Sequence, residues 1–182
     1  TDTRSMTRAL LRRNIGMVLQ DTWLFAGTIR DNIVIGKPDA TENEIIAAAK
    51  AAHAHSFIRR LPDGYDTVIG ESGGTLSQGQ KQLISFARTL ISDPAILVLD
   101  EATASLDVEN ETMIQQALSR LIKEKTVIII AHRMRTIANA DKIVVLKEGT
   151  VAECGSPSQL ANANGIYKHM IETQLVSENW RV

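Results

Sequence analysis

With 182 residues, 44% of them hydrophobic, the chain carries enough apolar material for one domain with a sizeable core. Its 20 basic and 21 acidic side chains nearly cancel to a formal charge of -1, which excludes the electrostatic footprint of a protein that binds nucleic acid or anionic lipid through bulk charge. A single cysteine, Cys154, excludes an internal disulfide and fits a reducing cytosol, and no apolar run approaches the roughly 18 residues of a membrane span.

Arg4, Arg8, Arg12 and Arg13 open the chain at partly four-residue spacing, which predicts a solvated helix face. The apolar stretch Ile15 to Leu19 ends at Gln20. Ala40 to Ala54 is alanine-rich and leads through Phe57 and Ile58 to the turn signal Pro62-Asp63-Gly64, so a helical insert is expected there. Leu83, Ile84, Phe86, Ala87, Leu90 and Ile91 form an apolar stripe that predicts a helix from Gln78 to Ser92, stopped by Pro94. Ile96 to Leu99 and Val127 to Ala131 are continuous apolar runs, expected as parallel strands buried on both faces. Between them Ile114, Ala117, Leu118, Leu121 and Ile122 recur at helical spacing, giving a strand, helix, strand crossover. Lys142 to Leu146, the turn Glu148-Gly149 and Thr150 to Glu153 predict a hairpin at the sheet edge, and the tail from Gly165 is expected to be helical.

Open α/β sheets bind ligands beyond the carboxyl ends of their strands, which directs attention to Asp100-Glu101 and His132. Adjacent carboxylates at a strand end point in different directions. Asp100 is thereby suited to hold Mg²⁺ and Glu101 to orient or deprotonate a water, the plainer alternative being two acids capping the sheet in solvent. An imidazole at His132 can bond a phosphate oxygen and an attacking water, or simply be exposed. His53 and His55, two apart on the expected helix, face apart and make no zinc site. Ser77 and Gln80 have the spacing of a capping box, and the same helix start, with Gly79 allowing close approach, is an anion site. Asp107 reads as a helix N-cap or as a functional acid, and Gln20 as an ordinary strand-end residue or a metal ligand.

In order, Gln20, Leu76-Ser77-Gln78-Gly79-Gln80, Ile96-Leu97-Val98-Leu99-Asp100-Glu101, Ser105-Leu106-Asp107 and His132 resemble the Q-loop, signature motif, Walker B strand with catalytic glutamate, D-loop and switch histidine of ABC-transporter nucleotide-binding domains. The stretches Gln20 to Phe25, Thr28 to Ile33 and Leu61 to Glu71 look like the exporter type. The resemblance implies an α/β fold: a partial P-loop NTPase (ABC ATPase) core with a mostly parallel sheet plus a small helical subdomain. Its divisions would be 1–30 up to the Q-loop, 31–93 for the helical subdomain, and 94–182 for Walker B, D-loop, switch histidine and C-terminal helix. It further implies ATP and Mg²⁺ as cofactors, and a head-to-tail dimer with a second nucleotide-binding domain. In that dimer Ser77, Gly79 and Gln80 meet the partner's nucleotide. Asp100 and Gln20 serve the metal, Glu101 and His132 the hydrolysis, and Asp107 the dimer interface. The remaining implied partner is the transporter's transmembrane domain, reached at the cytoplasmic face of the membrane, and no nucleic acid is implied.

Two positions depart from the family pattern. No Gly, four residues, Gly-Lys-Ser/Thr sequence is present: the only Gly-Lys, Gly36-Lys37, precedes Pro38, and Asp31 stands where the first glycine belongs. The expectation is a chain truncated before the Q-loop, lacking Walker A and inactive in ATP hydrolysis by itself. The alternative is a non-catalytic dimerisation module that donates a signature motif to a partner. Gln78 replaces the family's usual glycine, a change expected to be tolerated.

Overall fold

The computed structural model describes residues 2–19, 22–70, 76–100, 116–131 and 134–179. The chain divides into two compact units, 1–130 and 131–182.

The first unit is built on strands β1 (Ile15–Val18), β4 (Ile96–Asp100) and β5 (Thr126–Ile130), ordered β1-β4-β5 and parallel throughout. The register sets Val18 against Leu99 and Asp100 against Ile130, so all three strands end at the same edge. One face of this sheet is closed. Val18, Leu97 and Leu99 join a core with Leu83, Ile84, Phe86 and Ala87 from helix α5 (Gln78–Ser92). A Cβ added to Gly16 would lie 2.6 Å from Pro94 Cγ and 2.8 Å from Thr89 Cγ2, so only glycine lets α5 approach β1 this closely. Residues on the other face are more exposed, contrary to the expectation of two-sided burial: Met17, Ile128 and Ile130 are each half exposed or more, at 56%, 54% and 50%. An unbroken apolar run therefore marks strand propensity here, and burial on one side only.

Around α5 lie short helices whose ends are dictated by local chemistry. In α2 (Ile29–Val34), Thr28 and Asp31 form a capping box; in α3 (Glu42–Ala51), Thr41 and Glu44 do the same. Two two-residue strands, β2 (Gly27–Thr28) and β3 (Val68–Ile69), pair antiparallel. The alanine-rich segment is interrupted, which corrects the placing of His53 and His55 on one helix. His53 takes a left-handed φ of 58°, its amide bonds the Lys50 carbonyl at 3.1 Å, and the Ala54 amide bonds the Ala49 carbonyl at 2.8 Å. This is a Schellman termination of α3; α4 (His55–Ile58) then starts afresh. Helix α5 ends at Asp93, also left-handed, before Pro94. Helix α6 covers 116–122 and buries Ala117 and Leu121 in the same core.

The second unit contains α7 (Met134–Ile137), a hairpin of β6 (Ile143–Lys147) and β7 (Thr150–Gly155), α8 (Pro157–Asn162) and α9 (Ile166–Asn179). Glu148 and Gly149 both have positive φ, the two-residue turn whose twist matches a hairpin. The hairpin forms a two-stranded sheet of its own, β6 pairing only with β7 among the described residues, where a strand pair continuing the parallel sheet was expected. The tight turn lets each strand satisfy the other, with Ile143 and Val145 facing Leu160 and Tyr167. The Glu153 carboxylate accepts from the Ile166 and Tyr167 amides and so caps α9. Among the described residues no helix is long and apolar enough to cross a membrane.

Candidate functional site

Of the residues singled out from the sequence, Ser77, Gly79, Gln80 and Asp100 fall within the described residues. Gln20, Glu101, Asp107 and His132 lie outside them.

Ser77 is the N-cap of α5. Its hydroxyl accepts from the Gln80 amide at 3.3 Å, and Gln80 Oε1 accepts from the Ser77 amide at 3.0 Å. The capping box is thus complete, as the Ser-x-x-Gln spacing predicts. A helix start leaves its first amides without intrahelical acceptors. Ser77 Oγ takes the amide of Gln80, and those of Gln78 and Gly79 keep no acceptor among the described residues. Ser77 and Gln78 are exposed, Gln80 is half-buried and Gly79 is buried, so Gln78 has room for its side chain.

Asp100 is the last residue of the central strand and is half-buried. Its side chain makes no hydrogen bond or ion pair with another described residue, and a carboxylate at this strand end suits a hard divalent cation such as Mg²⁺. In the chain, Gln20 comes two residues after the end of β1 and Glu101 directly after Asp100.

Gly36-Lys37 has a structural explanation. A Cβ on Gly36 would sit 2.1 Å from the Arg88 carbonyl, so glycine is needed where the end of α2 meets α5, and Lys37 pairs with Glu44. Asp31 is occupied as the capping residue of α2, bonding the Thr28 amide at 2.9 Å.

Two of the exporter-like stretches, Thr28 to Ile33 and Leu61 to Glu71, are joined. The Ile29 amide bonds the Thr67 carbonyl at 3.1 Å, and β2 pairs with β3. Arg30 bridges Asp66 at 2.9 Å and Glu42, and its guanidinium lies 5.8 Å from the Tyr65 ring centre. Its pKa is raised, chiefly by Asp66. Burial, and next the Glu42 charge, push the Tyr65 phenol up to about 12, and its hydroxyl lies 2.8 Å from His55 Nδ1.

Residues 1–104 match the ABC transporter family. The chain belongs to the ABC transporter family. Over 174 residues, 96% of this chain, it is 55% identical to the "Uncharacterized ABC transporter ATP-binding protein YfiC" of Bacillus subtilis (strain 168), of which the match covers 29%. It is 50% identical over 164 residues, 90% of this chain, to the "Putative multidrug export ATP-binding/permease protein SAOUHSC_02003" of Staphylococcus aureus (strain NCTC 8325 / PS 47), covering 28% of that protein. The fold matches the solved structure described as a bacterial Atm1-family ABC exporter with ATP bound, at a TM-score of 0.86 and 44% identity, over 96% of this chain and 30% of that one. The α/β architecture is therefore an ABC ATPase fold, and the chain spans about three-tenths of the length of these relatives.

Asn32 and Arg88 escaped the sequence reading. Asn32 is fully buried and Arg88 is half-buried across from it, yet an asparagine and an arginine on helices carry no local pattern that reveals such pairing.

Proposed function

We propose that the chain is the nucleotide-binding portion of an ATP-driven exporter, acting at the cytoplasmic face of the membrane. The observation that carries this is an ABC ATPase fold, 44% identical to an exporter described with ATP bound, in which Asp100 ends the central strand and Ser77 caps α5. Residues 31–93 serve as its helical subdomain, and the transmembrane partner docks near the segment following Gln20 and near Glu71.

Asp100 and Gln20 would hold Mg²⁺, which when bound neutralises phosphate charge. Glu101 accepts a proton from the attacking water, and His132 bonds that water and a phosphate oxygen. Ser77, the backbone of Gly79, and Gln80 bind the nucleotide of a second domain in a head-to-tail dimer, where the dipole of α5 favours negative charge. Asp107 works across that interface. The 182 residues contain no phosphate-cradling Gly-rich sequence ending in Lys-Ser/Thr, so this chain by itself binds Mg-ATP weakly.

The test is calorimetric titration with Mg-ATP of this chain beside a chimera in which it replaces the matching segment of the Atm1-family exporter. The chimera is expected to bind and hydrolyse ATP, with Glu101→Gln lowering turnover about 100-fold or more while binding persists. Tight binding by the 182-residue chain alone would contradict the missing phosphate site. Full turnover in the Glu101→Gln chimera would remove Glu101 from its role.

A further inference from the structure

Segment 23–28, a short distance beyond Gln20, has little regular structure of its own, yet its backbone is tightly held. Asn32 on α2 is 0% exposed and uses every hydrogen-bonding position of its side chain. Its Oδ1 accepts from the Phe25 amide at 2.8 Å and from Arg88 Nη2 at 2.9 Å. Its Nδ2 donates to the carbonyls of Phe25 at 2.9 Å and Thr28 at 3.0 Å. The Asn32 amide thus pairs with Phe25 as a neighbouring strand would. From α5, Arg88 completes the assembly: Nε donates to the Asn32 carbonyl at 2.8 Å, Nη1 donates to the Trp23 carbonyl at 3.3 Å, and the guanidinium lies 5.7 Å from the Phe25 ring centre. Only a planar fork reaches these acceptors together; a lysine would supply charge without the geometry.

We propose that Arg88 is a positioning residue. Through Asn32 it joins the segment following Gln20 and helix α5 into one cooperative body, so that a push on that segment arrives at Ser77, Gly79 and Gln80. What those three residues do with the displacement rests on the function proposed above. Transmission along α5 needs no special device. From Gly79 to Arg88 is about 13.5 Å at 1.5 Å per residue, and the intervening residues include no glycine or proline to bend the helix. The outer side of the segment is open to receive the push, since Trp23 and Phe25, with ring centres 4.2 Å apart, are 54% and 44% exposed.

Native-state hydrogen exchange on the 182-residue chain tests the brace directly. In the wild type the Phe25 amide should open with the same denaturant dependence as Phe86 and Ala87 in α5, and with protection within about ten-fold of theirs. Exchange at Phe25 faster than these by about 100-fold or more would overturn the proposal, because the segment would then move independently of α5. Arg88→Lys should accelerate Phe25 exchange at least ten-fold and leave Leu97 and Leu99 unchanged; an unchanged Phe25 would also overturn it. Should Arg88→Lys not fold, the wild-type comparison alone decides. In the exporter chimera, Arg88→Lys should lower kcat about ten-fold at an unchanged KM for Mg-ATP, since the Arg88 guanidinium is engaged by Asn32 and Trp23. An unchanged kcat would overturn the transmission. A chimera inactive with Arg88 in place would instead overturn the proposed function, while exchange still judges the brace.

Discussion

The helical layer around α5 and the parallel sheet beside it are both rich in aliphatic residues, but they bury them differently. In the helical layer Ile29, Ile33, Ile58, Ile84 and Phe86 are all 0% exposed, and so is the polar Asn32. In the sheet, Leu97 and Leu99 are buried while Ile128 and Ile130, on strands with the same apolar character, are about half in solvent. Side-chain chemistry alone does not separate these environments. The helices meet neighbours on several sides, whereas among the described residues α5 and α6 pack on one face of the sheet, so alternate residues along each strand differ in exposure.

The widest contrast is between Phe86 and Ile128. Phe86→Ala removes a ring from the middle of the core and should destabilise the chain by about 3–5 kcal/mol, whereas Ile128→Ala should cost under about 1 kcal/mol. Urea unfolding followed by circular dichroism measures both. Equal losses would mean that the exposed face of the sheet is covered in solution and that the contrast between the layers is false.

Next comes the buried polar network. Asn32→Ala leaves the Phe25 amide and carbonyl, the Thr28 carbonyl and part of the Arg88 fork without their partner, and should cost about 3 kcal/mol. A double-mutant cycle with Arg88→Lys should show coupling of at least about 1 kcal/mol, whereas additive losses would mean that the two residues act separately.

These two effects mark what the sequence makes legible. Periodicity and capping are local, so α5 from Ser77 to the Pro94 stop, its capping box, the parallel pairing of the Ile96 and Val127 runs, and the turn at Glu148-Gly149 could all be read in advance. The break at His53 could not, because a left-handed residue at a helix end is usually glycine or asparagine, and histidine gives no warning. One-sided burial of β5 depends on which elements pack over it, a property of tertiary arrangement. The Asn32–Arg88 pairing links residues 56 positions apart, with no spacing rule to expose it. Of the candidate site, the local part at Ser77–Gln80 has the geometry its spacing predicts, and Asp100 sits at the expected strand end. Gln20, Glu101, Asp107 and His132 rest on motif order.

A smaller effect belongs to the helix start itself. Ser77→Ala removes the acceptor for the Gln80 amide and should cost about 1 kcal/mol, with the loss read as a lower urea midpoint at an unchanged slope. Ser77→Gly should recover most of it, because glycine at an N-cap gives up only a few tenths of a kcal/mol. If alanine were neutral, the cap would contribute nothing to folding, and the presence of Ser77 would have to be explained by ligand binding alone.

The smallest effect distinguishes the layers by pH. Glu44, at the start of α3, has its pKa lowered from 4.5 to about 2, first by its bond to Lys37 and then by the Thr41 amide. A carboxyl whose folded pKa lies below its unfolded value adds stability that is fully present above pH 4.5 and is lost as pH falls toward about 2. The pair is exposed and solvent-screened, so the contribution is slight and should weaken further in salt. Wild type and Glu44→Gln should therefore differ in Tm above pH 5 and converge as the acid limb is approached. Hydrogen exchange places the loss: amides near the start of α3 should gain exchange in that window while those of Leu97 and Leu99 keep their protection. If strand and helix amides lost protection together, α3 would open only with the whole unit, and its cap would report on global stability of the chain instead of on the helical layer.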